Sequence, residues 1–400
     1  MTVKTSPLLP TILGVLISIS SVSTVMYLPA FPAIETTFAA PKGSAQITLA
    51  AWFIGLALGQ AIQGVLSDGF GRRTPLICGI LVYTAASAGC ALATDIESLA
   101  ALRFFAALGC SAPTVIPRAM VRDIATGQVA RHLLAKLILV MGVGPIVAPI
   151  GGSLLLNEFG WRAIFWFCTG YGLISCAVAS AFVPETLPQQ MRMTVMPAHV
   201  LALNLRILGE PGFVTNVVMS CFAMFTLYAY ITSSPAILIE FYGYSSWLYS
   251  VAYAIWSVCY ILSAQINAHL FHRFGGDAVL GVASATMLLV SIGLPLVAFL
   301  QPQSGALTVL AVGIVMLCTG VIFPNASVGA LAQHASSAGS AAALLSALQL
   351  LAAAAGSMLV GYFSDGKPLG PWMLTFLGAF GTLIADRYRA KREPRDALNS

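Results

Sequence analysis

The chain has 400 residues, 58% of them hydrophobic and only 8% Asp, Glu, Lys or Arg. Soluble domains carry about a quarter charged residues, so this composition excludes an ordinary soluble protein. The 19 Lys and Arg against 14 Asp and Glu leave a net charge of +5; their placement along the chain accounts for it, and no nucleic-acid partner is expected.

Apolar runs of about 20 residues, the length that crosses a bilayer as a helix, recur throughout. They predict spans over 8–31, 45–66, 75–93, 98–120, 134–156 and 162–183, then 213–237, 246–268, 278–300, 306–330, 339–363 and 371–388. The runs are continuous rather than alternating, which fits helices and not barrel strands. The first span follows Lys4, but it is too long for a signal peptide and no small-residue cleavage site follows it. The expected fold is an all-α polytopic membrane protein of 12 transmembrane helices.

A polar, Pro-containing stretch, "PETLPQQMRMTVMPAHVLALNLRILGEPG", separates two sets of six spans. The expected organisation is a six-helix bundle over 1–183, a cytoplasmic linker over 184–212, and a second six-helix bundle over 213–400 ending in a basic tail. The halves echo each other: "SDGFGRRTP" follows span 2 and "HLFHRFGGDA" follows span 8, with Gly71 and Gly275 in corresponding places. Duplicated halves point to a transporter built from repeats with its site between them.

With both termini cytoplasmic, the inside segments hold 15 of the Lys and Arg, including Lys4, Arg72, Arg73, Arg118, Arg122 and the run from Arg387 to Arg395. Lys42, Arg162 and Lys367 fall outside, and Arg103 falls within a span. Cytoplasmic excess of Lys and Arg sets orientation. The tail from Arg387 onward reads as an anchor beside anionic lipid. The eight cysteines all lie in spans without any C-x-x-C pair, so they read as packing residues, and neither a metal site nor a cofactor is expected.

In chain order, span 1 presents Ser20, Thr24 and Tyr27 at helical spacing, and Glu35 lies beyond it at the outer mouth. Gln60 lies in span 2, whose Gly55-x-x-x-Gly59 reads as helix packing. The loop after it, "GVLSDGFGRR", crowds Asp68, Gly71, Arg72 and Arg73 into one turn. Glycine reverses the chain there, Asp suits a helix N-terminus, and Arg pairs with a carboxylate far better in a dry interface than in water. The two arginines read either as an ionic latch or as topology markers; topology alone would not call for Asp68.

Arg103 is expensive inside a span and is expected to face a cavity or partner, the alternative being snorkelling to the headgroups. Span 5 carries Gly144, Pro145, Pro149 and Gly152, which suit close approach and bending, or ordinary packing. Phe225 and Tyr228 lie in span 7; Tyr249, Tyr253 and Trp256 share one face of span 8. Asn325 and Gln349 lie in spans 10 and 11. Such aromatic and amide groups either line a substrate cavity or pack.

The loop at 64–73 resembles the signature G-x-x-x-D-x-x-G-R-[RK] of the major facilitator superfamily, at the position where that family carries it. "MYLPAFPAI", "LRFFAALGCSA", "AMVRDI", "APIGGSL", "WRAIFW", "PETLP" and "FPNASVGAL" are similar to the Bcr–CflA group of drug-resistance transporters. The resemblance implies the major facilitator fold, with two six-helix halves of inverted repeats. It implies that Asp68 sits near the helix beginning at about 339, and that Arg72 or Arg73 pairs with Asp123. Arg103 falls where the family's fourth-helix arginine is implicated in proton coupling. Span 5 resembles the exporters' motif, with Ser153 in place of one glycine.

One departure stands out. Related transporters carry an acid just before "MYLP"; here the residue is Val25, and Glu35 is the nearest carboxylate. No other Asp or Glu reads as clearly inside a span. Glu35, Glu240, Asp68 or Asp123 could substitute for the missing acid, and facilitated diffusion stays open.

The expected function is a secondary transporter exporting drugs or small amphiphilic metabolites by alternating access, with protons as counter-ion. The expected partners are a small-molecule substrate, protons and the bilayer, and the expected state is a monomer in the bacterial inner membrane. The competing reading is a metabolite importer or uncoupled facilitator for a sugar, peptide or amino acid derivative. An enzyme is not expected: no G-x-S-x-G, H-E-x-x-H or intramembrane Asp pair occurs, and no Walker loop supplies ATP.

Overall fold

A computed structural model describes residues 9–125, 127–192, 197–300, 305–332, 334 and 338–392. Its helices are α1 (Leu9–Val25), α2 (Phe31–Thr37), α3 (Ser44–Phe70), α4 (Arg73–Leu92), α5 (Ile96–Ile124), α6 (Gly127–Phe159) and α7 (Trp161–Phe182). There follow α8 (Pro197–Leu208), α9 (Pro211–Pro235), α10 (Ser246–Phe274), α11 (Gly276–Leu300), α12 (Ala306–Leu331), α13 (Ala338–Tyr362) and α14 (Leu369–Arg392). A π-helical turn, Ala236–Phe241, extends α9. Among the described residues, 12 stretches are long and apolar enough to cross a membrane; α1 and α2 count as one, and α8 is the short helix between the sixth and the seventh. Lys4, Arg395 and residues 193–196 of the linker lie outside the described residues.

The helices run beyond the apolar cores that predicted them. α10 continues to Phe274 through His269, His272 and Arg273, and α14 continues to Arg392. Hydropathy marks the dry part of a helix, whereas the backbone hydrogen bonds continue into its polar ends. Local chemistry sets several starts. The Asp95 carboxylate accepts from the Ser98 N–H at 2.7 Å and opens α5. The Ser245 hydroxyl accepts from the Leu248 N–H at 3.2 Å and opens α10. Gly71 and Gly275 adopt φ of +92° and +80° just before α4 and α11, a conformation that a side chain would strain. Pro113 and Pro117 lie inside α5, and Pro145 and Pro149 inside α6.

The chain divides into two compact units, one formed by 1–38 with 51–197 and the other by 39–50 with 198–400. In the first, α4 packs on α5 and α7, and α1 packs on α5 and α6. In the second, α9 is the hub, contacting α12, α13 and α14, while α11 packs on α12 and α14. Ile207 of α8 joins a core with Phe213, Val217, Ala330, Ala341 and Leu345, which seats the linker helix on the second unit. Large apolar side chains such as Leu139, Leu173, Leu289 and Leu310 are exposed on the surfaces of these units, as a protein solvated by lipid tails requires.

Candidate transport site

The turn between α3 and α4 builds a knot of charge. Arg72 is only 8% exposed. Its Nε donates to Asp123 Oδ2 at 2.9 Å, and its Nη1 donates to Ser67 Oγ at 3.0 Å and to Asp68 Oδ1. Thr186 Oγ1 donates to the same Asp123 oxygen at 3.0 Å. Asp68 keeps 48% of its side chain exposed. Burial alone would lower the pKa of the Arg72 guanidinium, but the hydrogen bonds and charges of Asp123 and Asp68 outweigh it and raise that pKa.

Glu185, in the linker just after α7, completes the knot. Its Oε1 accepts from the backbone N–H of Arg72 at 2.8 Å and of Leu187 at 2.9 Å, and its Oε2 accepts from the N–H of Arg73 at 3.3 Å. The carboxylate thus satisfies orphan donors at the start of α4. Burial raises the pKa of the Glu185 carboxyl, but the three N–H donors and the Arg192 guanidinium, 3.6 Å away, prevail and hold it below 4.5. A Cβ at Gly71 would collide with that carboxylate, so the turn needs glycine for space as well as for φ. The Arg73 guanidinium leaves the knot and donates to the Ser180 carbonyl.

Arg103 sits deep in α5 of the same unit in a different environment. It is 2% exposed, so it does not snorkel. Its guanidinium carbon lies 4.1 Å from the ring centres of both Tyr27 and Trp52 and 5.9 Å from that of Phe165. Nη1 donates to the Ser23 carbonyl at 3.1 Å, while Nε and Nη2 are buried with no hydrogen-bond partner. No carboxylate pairs with it among the described residues. Trp52 Nε1 donates to Thr24 Oγ1 at 2.9 Å, and Thr24 donates to the Ser20 carbonyl at 2.7 Å, so the box is rigidly tied to α1. Ser23 and Tyr27 flank Val25; the cation touches both sides of the position where an acid was expected.

The other predicted residues are dispersed. Gly144 approaches Ser21, and a Cβ at Gly152 would run into the Met26 carbonyl, so this face of α6 packs on α1 within one unit. Gly55 and Gly59 likewise meet α5 at Phe104 and Ser111. Tyr249, Tyr253 and Trp256 are buried; Trp256 Nε1 donates to the Val309 carbonyl at 2.9 Å, and the Tyr249 and Ser234 hydroxyls bond at 3.1 Å. Asn325 Nδ2 donates to Asn267 Oδ1 at 2.7 Å, and Gln349 Nε2 to Ser327 Oγ at 3.3 Å. Gln60, Phe225 and Tyr228 are half-buried, and Glu35 is buried near the end of α2. Glu240 pairs with Lys42, which belongs to the second unit.

Two expectations need correction. Asp386 is a carboxylate inside a span, at 2% exposure, contrary to the expectation that no Asp or Glu lies clearly inside one. Arg389 is not a free lipid anchor: it is 1% exposed, and its Nη2 donates to Asp277 Oδ1 at 2.9 Å and to Asp386 Oδ1 at 3.0 Å. The helix turns Arg389 inward and leaves Arg387 and Lys391 exposed.

Residues 13–357 match the Major Facilitator Superfamily. This chain belongs to that superfamily. Being a major facilitator, it is a multi-pass membrane transporter. It is 30% identical to an uncharacterised MFS-type transporter, YdgK, of Bacillus subtilis, covering 88% of this chain and 87% of that one. It is 26% identical to a bicyclomycin resistance protein homolog of Haemophilus influenzae, covering 87% of each, and 29% identical to a chloramphenicol resistance protein of Pseudomonas aeruginosa, covering 66% and 62%. A crystal structure of a D-xylose–proton symporter superposes with a TM-score of 0.77 over 97% of each chain at 17% identity, a likeness of fold alone.

Proposed function

We propose that this transporter exports drugs or small amphiphilic metabolites from the bacterial cytoplasm by alternating access, with protons moving the other way. Both termini face the cytoplasm, the orientation that puts the Arg72 knot and most of the Lys and Arg inside. The observation that carries the reading is Arg103: a cation buried among Tyr27, Trp52 and Phe165, with two donors lacking a hydrogen bond and no counter-ion among the described residues. Such a residue costs several kcal/mol to keep and is retained for work rather than stability. Similarity to bicyclomycin and chloramphenicol resistance proteins supports drugs as cargo and outward transport.

In this mechanism the Arg72–Asp68–Asp123–Glu185 knot fixes the α3–α4 turn to the ends of α5 and α7, so the first unit moves as one body. Asp68, half exposed, is the member free to engage and release a partner as the halves rock. Arg103 senses the charge of what occupies the site: its spare N–H groups bind an anionic or carbonyl group in one state and the rings hold the cation in the other.

Purified protein in proteoliposomes, loaded with chloramphenicol and given an imposed pH gradient, tests this. Extrusion that follows the gradient in sign and size is expected. Transport indifferent to the gradient would remove proton coupling, and no transport of any chloramphenicol- or bicyclomycin-like compound would remove drug export.

A further inference from the structure

Arg103 has N–H groups to spare, and their arrangement points to a particular ligand. We propose that they bind the carboxylate of the cargo, which makes the preferred substrate an amphiphilic organic monoanion. This rests on Arg103 belonging to the transport site, as proposed above.

Nη1 is the nitrogen already in use, donating to the Ser23 carbonyl at 3.1 Å. Nε and Nη2 are buried without a hydrogen-bond partner. These two lie along one edge of the guanidinium, where parallel N–H bonds match the two oxygens of a carboxylate. A lone carbonyl oxygen meets that edge less well, and a phosphate monoester brings a second negative charge that Arg103 alone cannot answer. Tyr27 and Trp52, each centred 4.1 Å from the guanidinium carbon, balance part of the charge, but their ring faces offer the N–H groups no oxygen.

The unit's own carboxylates are placed elsewhere. No ion pair among the described residues includes Arg103. Asp68, Asp123 and Glu185 are held by Arg72, Arg192 and the start of α4. Asp95 caps α5, Glu97 and Glu158 are exposed, and Glu35 lies in α2. Arg118, Arg122 and Arg162 are exposed as well, so none shares the buried site; Arg162 rests on Trp161 and donates to the Ala93 carbonyl. Access comes from a break in the span Leu9–Thr37: α1 ends at Val25, and Tyr27 stands in the turn before Leu28–Ala30 and α2. Discontinuous spans recur at transporter binding sites, and this break carries one wall of the Arg103 box. A carboxylate reaches the free edge when Tyr27 swings out with the joint.

Equilibrium binding of naphthylacetate and naphthylacetamide to the purified protein at neutral pH tests this, since the pair share a body and differ in charge. Wild type is expected to bind the acid about tenfold tighter than the amide. Arg103→Met should bind the two alike, through loss of acid affinity. Equal binding by wild type overturns the proposal, and so does an acid preference that survives in folded R103M. Should R103M not fold, Arg103→Lys decides, because it keeps the charge without the fork. Its preference should fall several-fold, and an undiminished preference contradicts the proposal. Chloramphenicol extrusion by wild type in proteoliposomes is measured alongside. Extrusion without an acid preference overturns the monoanion alone. Arg103-dependent acid binding without extrusion keeps the anion site and removes drug export; neither binding nor extrusion overturns both.

Discussion

Two buried arginines of one unit are kept in opposite ways. Arg72 is surrounded by Asp68, Asp123 and Ser67, with Glu185 on its backbone; Arg103 is surrounded by rings. A guanidinium among carboxylates stabilises the unit, because each charge is answered and removing either leaves the other stranded. A guanidinium among aromatic faces recovers only about 2 kcal/mol per well-placed ring and leaves donors unused. The first arrangement suits a joint. The second suits a site whose occupant changes.

The comparison breaks most sharply under one substitution made at both places. Arg72→Met strands Asp123 and should destabilise the protein by about 3 kcal/mol, seen as a lower denaturation temperature in detergent. Arg103→Met removes a charge that had no counter-ion and lets a thioether meet the rings, so stability should change by less than about 1 kcal/mol. Equal destabilisation by the two would erase the distinction.

A smaller effect concerns pH. The Glu185 carboxyl is held below 4.5, so its contribution is present above that value and disappears as pH falls through the lower, folded-state value. Wild type should therefore lose thermal stability on acidification below pH 4.5, and Glu185→Gln should be less stable at neutral pH with a flatter acid response. A parallel acid response in the two would remove Glu185 from the knot. Smallest of all, Trp52→Phe keeps a ring beside Arg103 and removes only the indole N–H bond to Thr24 Oγ1, which keeps its own bond to the Ser20 carbonyl, at about 1 kcal/mol. Drug extrusion should persist in it, since the cation keeps its face.

The membrane helices were legible because the bilayer demands long apolar runs, and the 12 spanning stretches among the described residues are built on those runs, whereas α8 lies in the polar linker. Arg72 with Asp123 was legible through the family's loop motif rather than through spacing, since 51 residues separate them. Glu185 was hidden by distance: it lies 113 residues from the N–H it receives, and nothing local in "PETLP" says that a helix start lies above it. Asp386 and Arg389 could have been found, since three residues apart on a helix puts them on one face. The surrounding run of basic residues made the segment read as a solvated tail. The aromatic box of Arg103 draws on the turn after α1, on α3 and on α7, and only the folded unit brings Tyr27, Trp52 and Phe165 around one side chain.

The most direct test of the division of labour is drug extrusion under an imposed pH gradient by Arg103→Met, normalised to folded protein in the vesicles. The account predicts a well-folded protein that does not pump. Pumping at the wild-type rate would contradict it and return Arg103 to a packing role.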